Sequence, residues 1–204
     1  MGARPAAGGG RWIDVAPARL PRWLENFATR HGPYRQDGLT VVAADGATAE
    51  IELPVGVPGL DDLGKKAPRI GLLLARKGAV AAGIADGDEL VASKVDTHYV
   101  QGRTAAGGWS QQRFARRRDN QAKAAAADGS AIAGRVLLPE VRTLAALVCG
   151  GDRAAVDAIL AARDLKPLVE IRADRFLDVP EPRHAVLVEA IAAARAVRVL
   201  VKDP

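Results

Sequence analysis

Apolar and polar positions alternate along this chain in a way that changes period several times. Leu20, Trp23, Leu24 and Phe27 recur at helical spacing between Pro17 and His31, and Gly32-Pro33 breaks the pattern, so an amphipathic helix is predicted there. Residues 39–42 and 49–53 read as two strands around the Asp45-Gly46 turn. Residues 54–68 hold three prolines, three glycines and Lys65-Lys66, the composition of a linker. A second hairpin is predicted from 70–74 and 79–84 around Lys77-Gly78. After the Asp86-Gly87-Asp88 turn, residues 89–100 continue as a third strand or two short ones. Ser110 to Ala127 reads as a helix, with Ser110 as N-cap, an alanine-rich interior and Asp128-Gly129 as its stop. A strand at 144–149, a Gly150-Gly151-Asp152 turn, a helix at 153–162, a strand at 168–171, a helix at 182–195 and a strand at 197–201 complete the chain.

Hairpins followed by alternating strands and helices predict a layered α/β domain with a mixed sheet and flanking helices. The expected organisation is a flexible tail at 1–10, an N-terminal helix and hairpin at 11–64, and a main domain at 65–204. At 204 residues the chain can build one well-cored domain with a small appendage. Aromatics are only 4% of residues, so Ala, Val and Leu must fill the core. The N-terminus has no apolar h-region, and no run approaches the ~18 apolar residues of a membrane span. A cytoplasmic, monomeric protein is expected. The single Cys149 lies in an apolar run, which excludes an internal disulfide and a cysteine zinc site and predicts an inert buried thiol.

Charge sharpens the picture. The net charge is +5, from 29 basic and 24 acidic residues, and the isoelectric point is about 9.7. Between Lys94 and Lys123 seven basic residues face two acidic ones, a surplus of five that equals that of the whole chain. Localised positive charge of this kind is an electrostatic footprint for nucleic acid; the bland alternative is a solvated helix face. The same region holds Gly107-Gly108-Trp109-Ser110-Gln111-Gln112-Arg113-Phe114-Ala115-Arg116-Arg117-Arg118. Glycines let a backbone enter a crowded site that a Cβ would exclude. Glutamine both donates and accepts without titrating, so it can orient a water. Arginines neutralise phosphate. The combination suggests a loop that delivers an amide to an ester embedded in RNA.

Those twelve residues resemble the GGQ loop and following helix of the eukaryotic and archaeal class-one peptide release factors, which read Gly-Gly-Gln-Ser, two variable residues, then Arg-Phe-Ala-Arg. The upstream segments 69–74, 77–80 and 91–100 are similar to the strands before that loop, and the likeness extends over residues 69–204. The chain most resembles a bacterial, actinobacterial-type offshoot grouped with the Vms-type (ANKZF-type) stalled-ribosome release factors. That resemblance implies a release-factor middle-domain fold of the ribonuclease H-like kind. It implies a peptidyl-tRNA hydrolase that needs no cofactor or metal and acts on the large ribosomal subunit. Where the family places its glutamine directly after Gly-Gly, this chain has Trp109, whose single N–H donates and cannot accept. The Vms-type relatives displace their glutamine along the loop, which leaves Gln111, Gln101 and Gln112 as candidates, with Gly107 and Gly108 granting access. Arg113, Arg116 and Arg117 would anchor RNA phosphates, joined by Arg103, Arg118, Lys94 and Trp109.

Other features bear less chemistry. His98, in the approach to the loop, is either a general base or a structural residue. His31 and His184 have no metal-ligand neighbours at useful spacing. Gly150-Gly151-Asp152 lacks a Walker lysine and fits a tight turn capped by Asp152. Trp12, Trp23 and Phe27 suit packing, and the Asp61-Asp62 pair suits a solvated linker. Rescue of stalled large subunits therefore stands beside a catalytically silent RNA-binding module. A two-metal nuclease has no carboxylate cluster to support it.

Overall fold

The computed structural model describes residues 3–76, 79–97 and 111–204, the side chains of 111–120 excepted. These residues form two compact units: residues 1–67 with 192–204, and residues 68–191.

The first unit is a six-stranded antiparallel sheet in the order β1-β2-β11-β5-β4-β3. Its strands are β1 (Arg4–Pro5), β2 (Arg11–Val15), β3 (Tyr34–Asp37), β4 (Thr40–Ala43), β5 (Thr48–Glu52) and the chain's last strand, β11 (Val197–Lys202). Helix α1 (Leu20–His31) follows a 3-10 turn at Pro17–Arg19 and ends at Gly32, whose φ of 86° suits glycine. Its apolar stripe buries Leu20 and Phe27 against Val15, Val41, Ile51, Val197, Val199 and Val201. Period-2 alternation puts Trp12, Asp14, Arg198 and Lys202 on the opposite sheet face. There the register sets Arg198 opposite both Asp14 and Glu52. Its guanidinium lies 3.2 Å from Glu52 and 4.4 Å above the Trp12 ring. Lys202 pairs with Glu50 at 3.0 Å and Arg4 with Asp14 at 2.8 Å.

The second unit carries a five-stranded sheet in the order β10-β9-β6-β7-β8. β6 (Ile70–Arg76), β7 (Ala79–Asp86) and β8 (Glu89–Thr97) are an antiparallel meander; β9 (Ala146–Gly151) runs parallel to β6, and β10 (Arg172–Leu177) parallel to β9. Counted within the unit this is the order three-two-one-four-five of the ribonuclease H-like arrangement. β7 is buried from Ala79 through Ala85, as a strand covered on both faces must be. On the face of Val80, Ala82 and Ile84 lie α2 (Gln111–Leu137) and α3 (Arg153–Leu160), with Leu165 and Leu168 from the following short helices. Leu187, from α5 (His184–Arg195), reaches the opposite face near Gly83.

Several expectations need correction. Residues 1–10 are not wholly a tail, since Arg4 and Pro5 pair with Trp12 and Arg11. The last strand, expected within 65–204, hydrogen-bonds to β2 and β5 in the first sheet. Residues 168–171 are not a strand: α4 (Lys166–Glu170) takes 168–170 with Ile171 as its C-cap, because Leu165 and Leu168 fill the core at helical spacing. The strand begins after it, at Arg172. Helix α2 does not stop at Asp128-Gly129 but runs ten residues beyond Ala127. Gly129 is no C-cap: a Cβ there would sit 2.7 Å from Ile159 Cδ1, so the glycine is a packing residue.

Candidate nucleic-acid interface

The twelve-residue motif covers the end of the β8–α2 connection and the first turns of α2. Among the described residues β8 is the outer strand of its sheet, paired to β7, and it ends at Thr97. α2 begins at Gln111. Gln101, Arg103, Gly107, Gly108, Trp109 and His98 lie outside the described residues. Gln111, Gln112, Arg113, Arg116, Arg117 and Arg118 fall in the first turns of α2, with backbone alone described. Helical geometry, at 3.6 residues per turn, brings positions 113, 116 and 117 to one side of the backbone. Of the predicted RNA-binding residues, only Lys94 has a described side chain; it is exposed on β8, opposite Ala82.

The seating of α2 positions this set. Gly129, Ile132, Ala133 and Leu137 are buried at helical spacing. Close approach at Gly129 lets α2 lie against α3, and the Ser130 hydroxyl, 2.8 Å from both the Ala126 and Ile159 carbonyl oxygens, donates there. Toward the N-terminus packing thins: Ala122, Lys123 and Ala124 are exposed. At 1.5 Å per residue, Gln111 stands about 27 Å along the axis from Gly129. The sequence offered Gly129 as a helix stop, and its role in holding the arginine-bearing helix went unread. The only signal for it was a glycine inside a run of good helix formers.

Among the described residues, the other groups singled out by the sequence have structural roles. Cys149 is fully buried, and desolvation pushes its thiol up to about 11, so it stays protonated and inert. Asp152 caps α3, accepting from Ala154 N at 2.9 Å and Ala155 N at 3.2 Å; its own carboxylate fills the helix N-terminus. Gly151 has φ 97°, and a Cβ there would meet the Ala75 carbonyl oxygen at 2.3 Å. The expected Asp152 cap is present, but Gly150 and Gly151 are the last residues of β9, paired with Leu74 and Ala75, and not a turn. His184 is exposed at the start of α5, whereas His31 is buried, hydrogen-bonded to Asp45 at 2.9 Å, with its ring tilted at 40° against Phe27. Among the described residues no three His, Cys, Asp or Glu side chains come together as a metal site. None of the described helices is long and apolar enough to cross a membrane.

Known proteins resemble this chain at two levels. Among solved structures, an archaeal translation termination factor, aRF1, is similar over 62% of this chain and 34% of its own, at 19% identity and a TM-score of 0.45. A structure described only as an archaeal protein is similar over 64% of this chain and 35% of its own, at 19% identity and a TM-score of 0.42. The chain thus spans about a third of the length of these structures. No curated protein matches it. The model of the Actinobacteria/chloroflexi VLRF1 release factors matches residues 68–200, which take in the whole five-stranded sheet, the β8–α2 connection and α2. With two thirds of its length accounted for in that way, the chain belongs to the Actinobacteria/chloroflexi VLRF1 release factor family.

Proposed function

We propose that this release factor is a peptidyl-tRNA hydrolase that frees nascent chains from stalled large ribosomal subunits in the cytoplasm. One observation carries the reading: a Gly-Gly pair, nearby glutamines and the Arg-Phe-Ala-Arg run stand together where a strand hands over to a long helix. The bond broken is the ester between the peptide and the terminal ribose of tRNA. Water adds to the carbonyl carbon, negative charge develops on the carbonyl oxygen, and the ribose oxygen leaves with a proton. The protein's part is positioning, since a water held in line with the carbonyl reacts as a near neighbour. A backbone N–H of the loop or the glutamine amide donates to the developing oxyanion. Substrate hydroxyls can relay the proton, so no strong base on the protein is required. Gln111 is the first choice for the amide, with Gln101 and Gln112 behind it; Gly107 and Gly108 make room for the approach. Arg113, Arg116 and Arg117 hold phosphates of ribosomal RNA or the tRNA acceptor end, with Arg103, Arg118, Lys94 and Trp109 around them.

Trp109 favours a second reading, because it occupies the position where the release-factor motif has its glutamine. On that reading the chain binds the ribosome and releases nothing. Peptidyl-tRNA on isolated large subunits separates the two. Release by the native chain that falls about 10²–10³-fold in Gln111→Ala or Gln101→Ala, the cost of losing one oxyanion or water-orienting donor, supports the hydrolase and identifies the glutamine. Binding without release sinks it.

A further inference from the structure

We infer that α1 presents a second RNA-phosphate surface, outside the segment matched by the release-factor family. α1 belongs to the first unit, and the family match begins at residue 68. One side of the helix is committed to the core through Leu20, Phe27 and His31, with Trp23 and Leu24 half-buried. Arg19, Arg22, Asn26, Thr29 and Arg30 are all exposed. At 100° per residue these five fall within an arc of about 100°. From Arg19 to Arg30 they extend along about 16 Å of axis. α1 carries a single acidic residue, Glu25.

Fold stability does not account for this face. Arg19 is the N-cap and Arg22 lies in the first turn, where no acidic residue offsets them and no side chain caps the helix. Cations at the positive end of a helix dipole disfavour the helix. Among the described residues no carboxylate pairs with Arg19 or Arg22. Arg30 lies within electrostatic reach of Asp203, whose carboxyl is engaged directly by Arg11. The sheet acids Asp14, Glu50 and Glu52 are instead paired with Arg4, Arg198 and Lys202 on the face away from α1. Three guanidinium groups flanked by the Asn26 amide complement a phosphate backbone, while the Thr29 hydroxyl is committed to the Glu25 carbonyl at 2.9 Å. The occupant is ribosomal RNA, and this rests on the ribosomal reading above.

The test compares the full chain with R19Q/R22Q/R30Q. Binding to large subunits and to protein-free ribosomal RNA is titrated from low to high KCl, with peptidyl-tRNA release measured separately at saturating protein. Each lost phosphate contact should lower the slope of log affinity against log salt by about 0.7–0.9, so a fall of about two to three is expected. Binding at moderate salt should weaken at least about tenfold, with release at saturation and the urea midpoint no lower than native. Unchanged affinity and slope overturn the inference while leaving the hydrolase intact; native protein that binds neither RNA nor subunits overturns both. Weakened binding by a native chain that fails to release peptide upholds this surface and sinks the hydrolase.

Discussion

Two glycines in α2 should respond in opposite directions to the same substitution. Gly134→Ala adds a methyl that meets Leu165 Cδ2 at 3.6 Å and Leu138 Cδ1 at 3.7 Å, ordinary contact distances. There the helix-propensity difference acts alone, a gain of about 0.8–1 kcal/mol. Gly129→Ala has the same propensity gain, but its methyl would lie 2.7 Å from Ile159 Cδ1, 2.8 Å from Ile159 Cγ1 and 3.3 Å from Val80 Cγ2. Cγ1 is not the free end of the side chain. Relieving the overlap needs a χ1 change, which a β-branched residue resists, or a shift of α3. The Ile159 carbonyl also accepts the Ser130 hydroxyl, so a shift of α3 strains that bond. Overpacking of this kind costs about 1–3 kcal/mol, which cancels or exceeds the propensity gain and leaves Gly129→Ala up to ~2 kcal/mol less stable than the native chain. The two variants should differ by about 1–3 kcal/mol, or several degrees in Tm for a chain of this size. Urea unfolding at constant m value measures it. A Gly129→Ala chain as stable as Gly134→Ala would refute the close α2–α3 approach, and with it the account of what seats the arginine-bearing helix.

Two further outcomes follow from single groups. Asp152→Ala removes the acceptor for Ala154 N and Ala155 N and should cost about 1 kcal/mol in urea unfolding, with Asp152→Asn recovering most of it. The Asp45 carboxyl is held below its ordinary 3.8, first by the Ala47 N–H and then by His31. A depressed folded value gives stability that is present above the unfolded pKa and lost as pH falls through the folded one. The native chain should therefore lose stability on acidification below about pH 4 more steeply than Asp45→Asn; parallel acid limbs would remove Asp45 from the account.

Much of the second unit could be read from residue order. The β6–β7 hairpin is an apolar run interrupted at Lys77-Gly78, and the Asp152 cap follows its strand directly. What failed has identifiable causes. β3 has every residue exposed, so no alternation marks it, and only its pairing with β4 makes it a strand. β10 buries Arg175 between exposed and half-buried neighbours, which erases the polar-apolar rhythm and shifted the expected strand onto Leu168 and Ile171. β11 reads as a strand from its valines, but its partners lie about 150 to 190 residues away in sequence, and no local pattern encodes that choice. Glycine is the sharpest case. Gly32 ends a helix, Gly129 lies inside one, and Gly151 ends a strand in close contact with the Ala75 backbone. The same residue type serves three geometries, and only the neighbouring atoms tell them apart.

The charge pattern misleads for a related reason. Summed along the chain, everything outside residues 94–123 is neutral, which suggests that one basic segment does all the binding. A sum discards sidedness. In the first unit, alternation on β2, β5 and β11 gathers Asp14, Glu50 and Glu52 onto one sheet face with Arg4, Arg198 and Lys202, where they neutralise one another. The arginines of α1 are carried by the helix that covers the opposite face, and a balanced total coexists with an unbalanced surface. Exposed pairs such as Lys202–Glu50 contribute little to folding, about 0–1 kcal/mol each. Their larger effect is to remove those acids from the field around α1. Electrostatic reach in solution is limited to about 8–10 Å, so a phosphate approaching Arg19 and Arg22 senses the local surplus and not the chain's total.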